Sequence, residues 1–228
     1  MSMNSLAFAA MTDDTLEDIC RFPDPNQANE DGLLAVGGDL RPETLLQAYS
    51  MGIFPWYAEG EPILWWSPNP RMVLKPQDFY RSKRLIRRLK QPQYHCMLNQ
   101  NFEAVIQACA APRIGADGQM GGTWILPEMI EAYLRLYVLG YAHSFEIYDH
   151  DELIGGLYGV RLGHVFFAES MFSKQRDGSK MAMSYMASWA LDEGITLIDC
   201  QMHTDHLESL GAMEMDRQTF VGQLPKKI

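Results

Sequence analysis

The sequence predicts an α+β protein, with a small N-terminal domain over residues 1–70 and a larger domain over 71–228. Three observations predict it. Residues 1–70 are dense in prolines and turn formers, which leave no room for long regular elements. From Met72 onward strand-like and helix-like patterns alternate. Between 142 and 201 four strand-like runs occur, and a helical stretch joins the last two, as in a right-handed crossover between neighbouring strands.

The elements follow in order. Phe22-Pro23-Asp24-Pro25-Asn26 and Asn29-Glu30-Asp31-Gly32 punctuate the start. Leu33-Leu34-Ala35-Val36 before Gly37-Gly38-Asp39 reads as a short strand and turn. Residues 42–51 read as a helix, with Pro42 in the first turn and Gly52 closing it. Trp56, Trp65 and Trp66 then fall among prolines, so the indoles line a surface or a domain junction, or else form a compact mini-core. Strands are expected at 72–74 and 94–98, and helices at 79–90, 101–110 and 127–139, with a glycine-rich loop over 112–122. The four later strands are 142–148, 152–158, 164–169 and 196–201. Gly155, Gly156 and Gly159 inside the second of these point to a bulge or a close backbone approach. The helix 179–193 ends at Gly194.

Composition narrows the class. With 228 residues, 47% hydrophobic and 21% charged, the chain can bury a substantial core, which excludes a disordered protein. No apolar run approaches the roughly 20 residues that span a bilayer, so no membrane partner is expected. Met1 to Met11 lacks the basic start of a secretory signal. Cys20, Cys96, Cys109 and Cys200 form no C-x-x-C pair, which fits reduced thiols in a cytoplasmic protein.

The net charge of −10 argues against indiscriminate binding to nucleic acid. Residues 81–90, RSKRLIRRLK, reverse that balance locally. On a helix Arg81, Arg84, Arg87 and Arg88 share one face, and Lys83 and Lys90 add to it. Such crowded like charges suit an anionic partner such as phosphate, or else form a solvated basic helix balanced by the acidic body.

The most informative residues lie in two apolar runs, Phe166-Phe167-Ala168-Glu169-Ser170-Met171-Phe172-Ser173 and Leu197-Ile198-Asp199-Cys200-Gln201. Each reads as a buried strand carrying a carboxylate. An ionised carboxylate in an apolar interior is costly unless paired, so two in neighbouring strands mark a candidate active site, unless both reach solvent at strand ends.

At these residues the chain resembles a known family. Glu30-Asp31-Gly32-Leu33-Leu34-Ala35-Val36-Gly37-Gly38-Asp39-Leu40, Gly52-Ile53-Phe54-Pro55-Trp56, Ile63-Leu64-Trp65-Trp66-Ser67-Pro68 with Arg71, Gly122-Thr123-Trp124-Ile125, Ala142-His143-Ser144, Gly155-Gly156-Leu157-Tyr158-Gly159, the Glu169 segment and Asp199-Cys200-Gln201 are similar to those of leucyl/phenylalanyl-tRNA–protein transferases. The motifs run in order from about residue 22 to 212. The resemblance implies transfer of Leu or Phe, with Met as a further candidate donor, from aminoacyl-tRNA to the N-terminal Arg or Lys of an acceptor protein. The product would be an N-degron for bacterial proteolysis. The implied fold is a small N-terminal domain plus a GNAT-like (acyl-CoA N-acyltransferase-like) C-terminal domain with a mixed central sheet. No cofactor and no metal are implied, and a monomer is expected.

The family's catalytic positions fall on Asp199 and Gln201. Its adenosine and aminoacyl site falls on Trp56, Trp124, Glu169, Phe166, Met171 and Ile198, and on Met183 and Met186, which stand where the family has leucine and phenylalanine. Methionine is unbranched and adaptable, so this pocket is expected to be softer. The C-terminal segment is short beside the family's tail. Lys83, Arg84, Arg87 and Arg88 become tRNA-phosphate contacts.

The chemistry can be stated from the residues. An α-amine with pKa near 7.7–8.0 is partly neutral at pH 7, so the site must chiefly hold amine and ester about 3–3.5 Å apart. Gln201, two residues beyond Asp199, is expected on the same strand face, where its amide oxygen can accept from the amine. Asp199 is expected to orient that network as a base or an electrostatic anchor. Glu169 meets either the adenosine hydroxyls or the acceptor's basic side chain. Trp56 and Trp124 suit base stacking, or packing at the domain junction.

Three rival readings are weaker. An acyl-CoA-dependent acyltransferase would use Gln175-Arg176-Asp177-Gly178, but Lys180 crowds the position where that turn wants a small residue. A non-catalytic tRNA- or degron-binding module has no use for Asp199 in a core strand. A metal hydrolase on His203, His206 and Asp199 lacks a full ligand set.

Overall fold

The computed structural model describes residues 10–11, 22–114, 120–121 and 123–225. Cys20, Gly122 and the residues 226–228 of the short C-terminal segment lie outside them, as does most of the stretch read as a signal-free N-terminus. The N-terminal layer holds β1 (Ala10–Met11), β2 (Leu33–Gly37), helix α1 (Pro42–Ser50), β3 (Phe54–Pro55) and β4 (Leu64–Trp66), with strand order β1-β2-β4-β3. Then come β5 (Arg71–Leu74), α2 (Lys83–Leu89), β6 (Tyr94–Leu98), α3 (Phe102–Ala110), the ladder β7 (Arg113–Ile114) with β8 (Met120–Gly121), and α4 (Pro127–Val138). The chain continues through β9 (Ala142–Asp149), β10 (Glu152–Leu162), β11 (Val165–Ser173), α5 (Gly178–Asp192), β12 (Leu197–Gln201), α6 (Asp205–Glu208), β13 (Met213–Met215) and α7 (Arg217–Gly222).

Seven strands form the main sheet in the order β13-β5-β12-β11-β10-β9-β6. The sheet is mixed: β11 and β12 are parallel and joined through α5, while all its other pairs are antiparallel. The α+β expectation with a mixed central sheet therefore holds.

Local chemistry sets the boundaries. Pro42 opens α1, and Gly52, at φ +75°, turns the chain away after it. Asn101 caps α3 by accepting from Ala104 N at 3.1 Å. Ser82 caps α2 by accepting from Leu85 N at 3.2 Å. That cap starts the helix at Lys83, later than expected, and leaves Arg81 outside it. Arg81 instead donates to Ser184 Oγ at 2.7 Å and to Ser188 Oγ at 2.9 Å on α5. The expected four-arginine face is thus three arginines and Lys83.

Strand alternation gives the sheet two apolar faces. One carries Val73, Tyr158, Val160, Phe167 and Leu197 against α1, α3, α4 and the N-terminal layer. The other carries Met72, Leu157, Phe166 and Ile198 against α2 and α5. Trp65 is fully buried and donates from Nε1 to Gly37 O at 2.8 Å, so this indole belongs to the large first core rather than to a surface or a separate mini-core. Trp56 is exposed.

Candidate active site

Each carboxylate strand carries a bulge, at the carboxylate in β11 and next to it in β12. Along β10, Tyr158 pairs with Ser170 and Gly159 with Ala168, so Glu169 is the extra residue of β11. A Cβ on Gly159 would lie 2.2 Å from Phe167 O, so the bulge needs glycine there. Along β5, Val73 pairs with Asp199 and Met72 with Gln201, so Cys200 is the extra residue of β12. Pairing between β11 and β12 ends at Phe167 with Asp199. Glu169 follows on β11 and Gln201 on β12 beyond the last paired residues.

Asp199 is fully buried and held by Arg71, which is equally buried. Arg71 Nε donates to Oδ1 at 2.8 Å and Nη2 to Oδ2 at 2.6 Å, a bidentate charge-assisted pair. Arg71 Nη1 donates to Gly52 O at 3.1 Å. Its guanidinium also lies between the rings of Phe54 and Phe220, 4.8 Å from each centroid. Gln201 N donates to Asp199 Oδ1 at 3.0 Å. The bulge puts Gln201 at φ +58°, so it does not simply repeat the facing of Asp199 as strand alternation predicts. Its Nε2 is buried and makes no hydrogen bond among the described residues.

Glu169 sits among tyrosines. Tyr133 Oη donates to its Oε2 at 2.9 Å, and the Tyr49 and Tyr133 hydroxyls are hydrogen-bonded to each other. Glu169 Oε1 is buried and accepts no hydrogen bond among the described residues. Burial pushes the Glu169 carboxyl up to about 7, against the pull of the tyrosine hydroxyls, while repulsion from Asp199 and attraction to Arg71 oppose each other. The phenols of Tyr49, Tyr133 and Tyr158 are held well above their ordinary range, first by burial and then by the nearby Glu169, so they stay protonated. Burial likewise raises the Cys200 thiol, which is no thiolate nucleophile.

The sheet divides the other expected residues. Asp199, Arg71 and Glu169 lie on the α1/α4 side. Phe166, Ile198, Met183 and Met186 are buried in the core on the α5 side, with Met171 half-buried against it. Trp124 is half-buried against the first core just before α4. Trp56 stands edge-on to Trp66, with ring centroids 5.7 Å apart. An open groove of about 440 Å³ runs beside Met171, Phe172, Lys174, Ser179 and His206.

Lys83, Arg84 and Arg87 are exposed and Arg88 is half-buried. Arg84, Arg87 and Arg88 line a groove of about 410 Å³ with Gln91, Tyr94, Arg176 and Asp177. Among the described residues one three-residue group could hold a metal ion, the exposed His203, Asp205 and Glu208. Asp199 is outside it, so the ligand set of the metal-hydrolase rival does not assemble.

Sequence reasoning missed Arg71, Tyr49 and Tyr133 as site residues. A lone arginine heading an apolar strand was a usable signal for Arg71. The tyrosines occupy ordinary core positions of α1 and α4 and gave none.

Comparison with known proteins places these residues in context. The family model "Leucyl/phenylalanyl-tRNA protein transferase" matches residues 73–225, and that of its N-terminal domain matches 38–69. A leucyl/phenylalanyl-tRNA–protein transferase of Chromobacterium violaceum is 50% identical over 209 residues, which cover 91% of this chain and 88% of that protein. The one of Desulfatibacillum aliphaticivorans is 53% identical over 208 residues, covering 91% and 88%. Among solved structures, a GCN5-related N-acetyltransferase from Kribbella flavida has 11% identity and a TM-score of 0.41, covering 75% of this chain and 60% of its own. FemX has 9% identity and a TM-score of 0.47, covering 77% and 66%. Likenesses as loose as these two carry neither fold detail nor function to this chain.

Proposed function

This chain belongs to the leucyl/phenylalanyl-tRNA–protein transferase family, and from that premise we propose that it moves Leu or Phe from aminoacyl-tRNA to the N-terminal Arg or Lys of acceptor proteins. The single observation that carries this is the match of both family models, over 38–69 and 73–225. The product is an N-degron, formed in the cytoplasm. Among the described residues no helix is long and apolar enough to cross a membrane.

In this reading the acceptor's α-amine attacks the ester carbonyl, an amide C–N bond forms, the acyl C–O bond breaks, and the tRNA's ribose oxygen leaves as a hydroxyl carrying the proton relayed from the amine. The residues divide the work. Three donors already occupy Asp199, so it acts as an anchor that fixes the β12 bulge and aims Gln201. Gln201 holds the amine by accepting from its N–H through the side-chain amide oxygen, while its buried Nε2 is left as an unused donor. Glu169, with a carboxyl near 7 and an unpartnered Oε1, takes the proton the amine sheds. The donor's apolar side chain passes beyond the last paired residues of β11 and β12 and meets the wall of Phe166, Met171, Met183, Met186 and Ile198. Trp56 and Trp124 stack on the terminal adenosine, and Lys83, Arg84, Arg87 and Arg88 contact tRNA phosphates.

The test is transfer of radiolabelled leucine from charged tRNA to a reporter beginning with Arg, beside the same reporter beginning with Met. Labelling of the Arg reporter alone is expected. No transfer from either Leu-tRNA or Phe-tRNA, or equal labelling of both reporters, overturns the reading.

A further inference from the structure

We propose that the groove between α2 and the loop before α5 is a phosphodiester site in which the Asp177 carboxylate holds the phosphate's place until tRNA displaces it. The proposal rests on the tRNA reading above and deepens it, adding Arg176 to the contact set and giving Asp177 a role opposed to binding.

Four guanidiniums, those of Arg84, Arg87, Arg88 and Arg176, surround this groove, and among the described residues Asp177 is the only carboxylate lining it. Arg84 Nη2 donates to Asp177 Oδ1 at 3.2 Å, and Arg88 Nη1 lies 3.8 Å from Oδ2. Both distances exceed the roughly 2.7–2.9 Å of a well-made charge-assisted bond. Arg88 Nε is buried and has no hydrogen-bond partner among the described residues, while its Nη2 donates to Tyr94 Oη at 2.9 Å. Arg87 and Arg176 make no ion pair among the described residues. The cations are therefore gathered but poorly satisfied, as expected of a site built for a stronger anion.

Asp177 is placed unusually for that task. It occupies the N-cap position of α5, where an aspartate ordinarily accepts from the helix's first N–H groups. Its side chain makes no such bond, and it turns to the arginines with its backbone in the left-handed region at φ +63°. The carboxylate thus serves as a counter-ion within the groove rather than as a cap. A phosphodiester offers guanidinium two oxygens in bidentate geometry, so it can replace Asp177 at Arg84 and Arg88 and reach Arg87 and Arg176 as well.

The groove adjoins the reacting strands. Ser173 Oγ accepts from Ser179 N at 3.2 Å, and a Cβ on Gly155 would come within 2.5 Å of the Gly178 backbone. The loop carrying Asp177 is thereby pinned between β11, which bears Glu169, and α5, which bears Met183 and Met186.

The experiment is equilibrium binding of uncharged tRNA to the full chain over a range of NaCl concentrations. The wild type is compared with Asp177→Asn, with Asp192→Asn as a control of equal net charge, and with both asparagine changes in an Arg84→Gln/Arg88→Gln background. Asp177→Asn is expected to bind about fivefold more tightly, the equivalent of one partly exposed ion pair that no longer has to be broken. Asp192→Asn is expected to change little, and the Asp177→Asn gain is expected to vanish in the arginine-substituted background. Unchanged or weaker binding by a folded Asp177→Asn, an equal gain from Asp192→Asn, or a gain that survives loss of the arginines overturns the proposal. If the arginine substitutions alone leave tRNA affinity and its salt slope unchanged, the tRNA reading of this groove fails, whatever Asp177 does. Thermal melting of each variant shows whether it is folded.

Discussion

Replacing Arg71 by methionine removes the only cation that pairs with Asp199 among the described residues, and leaves that carboxylate buried with the Gln201 N–H as its remaining partner there. Both side chains are fully inaccessible, so water cannot replace the lost bonds. Breaking such a buried pair from one side costs about 3–5 kcal/mol. A domain's whole stability is about 5–15 kcal/mol, so Arg71→Met is expected to unfold at a much lower urea concentration. The double variant Arg71→Met/Asp199→Leu takes both charges out, and the new side chains can pack between Phe54 and Phe220. It is expected to recover most of the loss, because well-packed apolar residues often replace a buried ion pair at little cost. Urea unfolding followed by tryptophan fluorescence gives both midpoints and shows whether the slope is constant. The double variant, though folded, is expected to transfer no leucine. A loss below about 1 kcal/mol for Arg71→Met, or a double variant no more stable than the single one, refutes the energetic argument. Normal transfer by the double variant refutes the anchoring role of Asp199.

Three more outcomes are expected. The Glu169 carboxyl is raised from its ordinary 4.5 to about 7, so the stability tied to its bound proton is full below about pH 4.5 and is lost as pH rises through about 7. That gap is worth about 3 kcal/mol, and Glu169→Gln should remove this pH-dependent loss between pH 5 and pH 8; identical pH dependence in variant and wild type counts against the buried site. Gly155→Ala puts a Cβ 2.5 Å from the Gly178 backbone, and should lower stability by about 1–3 kcal/mol by urea unfolding, whereas a silent substitution would mean the two backbones separate easily. Neutralising Arg84, Arg87 and Arg88 to glutamine should weaken tRNA binding and flatten its dependence on salt, as a filter-binding titration would show.

Much of the sheet could be read from sequence because its strands are apolar runs bounded by glycines and turn residues. Leu197–Gln201 and Val165–Ser173 stand out because each is a mostly apolar run that carries one carboxylate. The bulges could not be read, since a bulge is defined by the partner strand's register. For that reason Gln201 was expected to face as Asp199 does. The run of basic charge extends past Ser82 to Arg81, but a serine before an amphipathic turn is a cap signal, and the helix starts after it. Strands β3 and β4 are short and proline-flanked, so the tryptophan segment resembled an irregular surface while Trp65 was in fact sealed inside. Tyr49 and Tyr133 gave no warning because a buried helix tyrosine is equally at home in a core, and only their shared neighbour Glu169 distinguishes them.

The clamp around Arg71 also sets an order of events at the ribosome. One of its flanking rings, Phe54, is synthesised before it, whereas Asp199 and the second ring, Phe220 of α7, emerge last. Until then the sheet has no strand β12 to seat between β5 and β11, and the Arg71 guanidinium stays hydrated. A nascent chain stalled after β12 but before α7 would hold the ion pair with one of its aromatic walls missing. The clamp on Arg71 is therefore complete only once α7 has been translated.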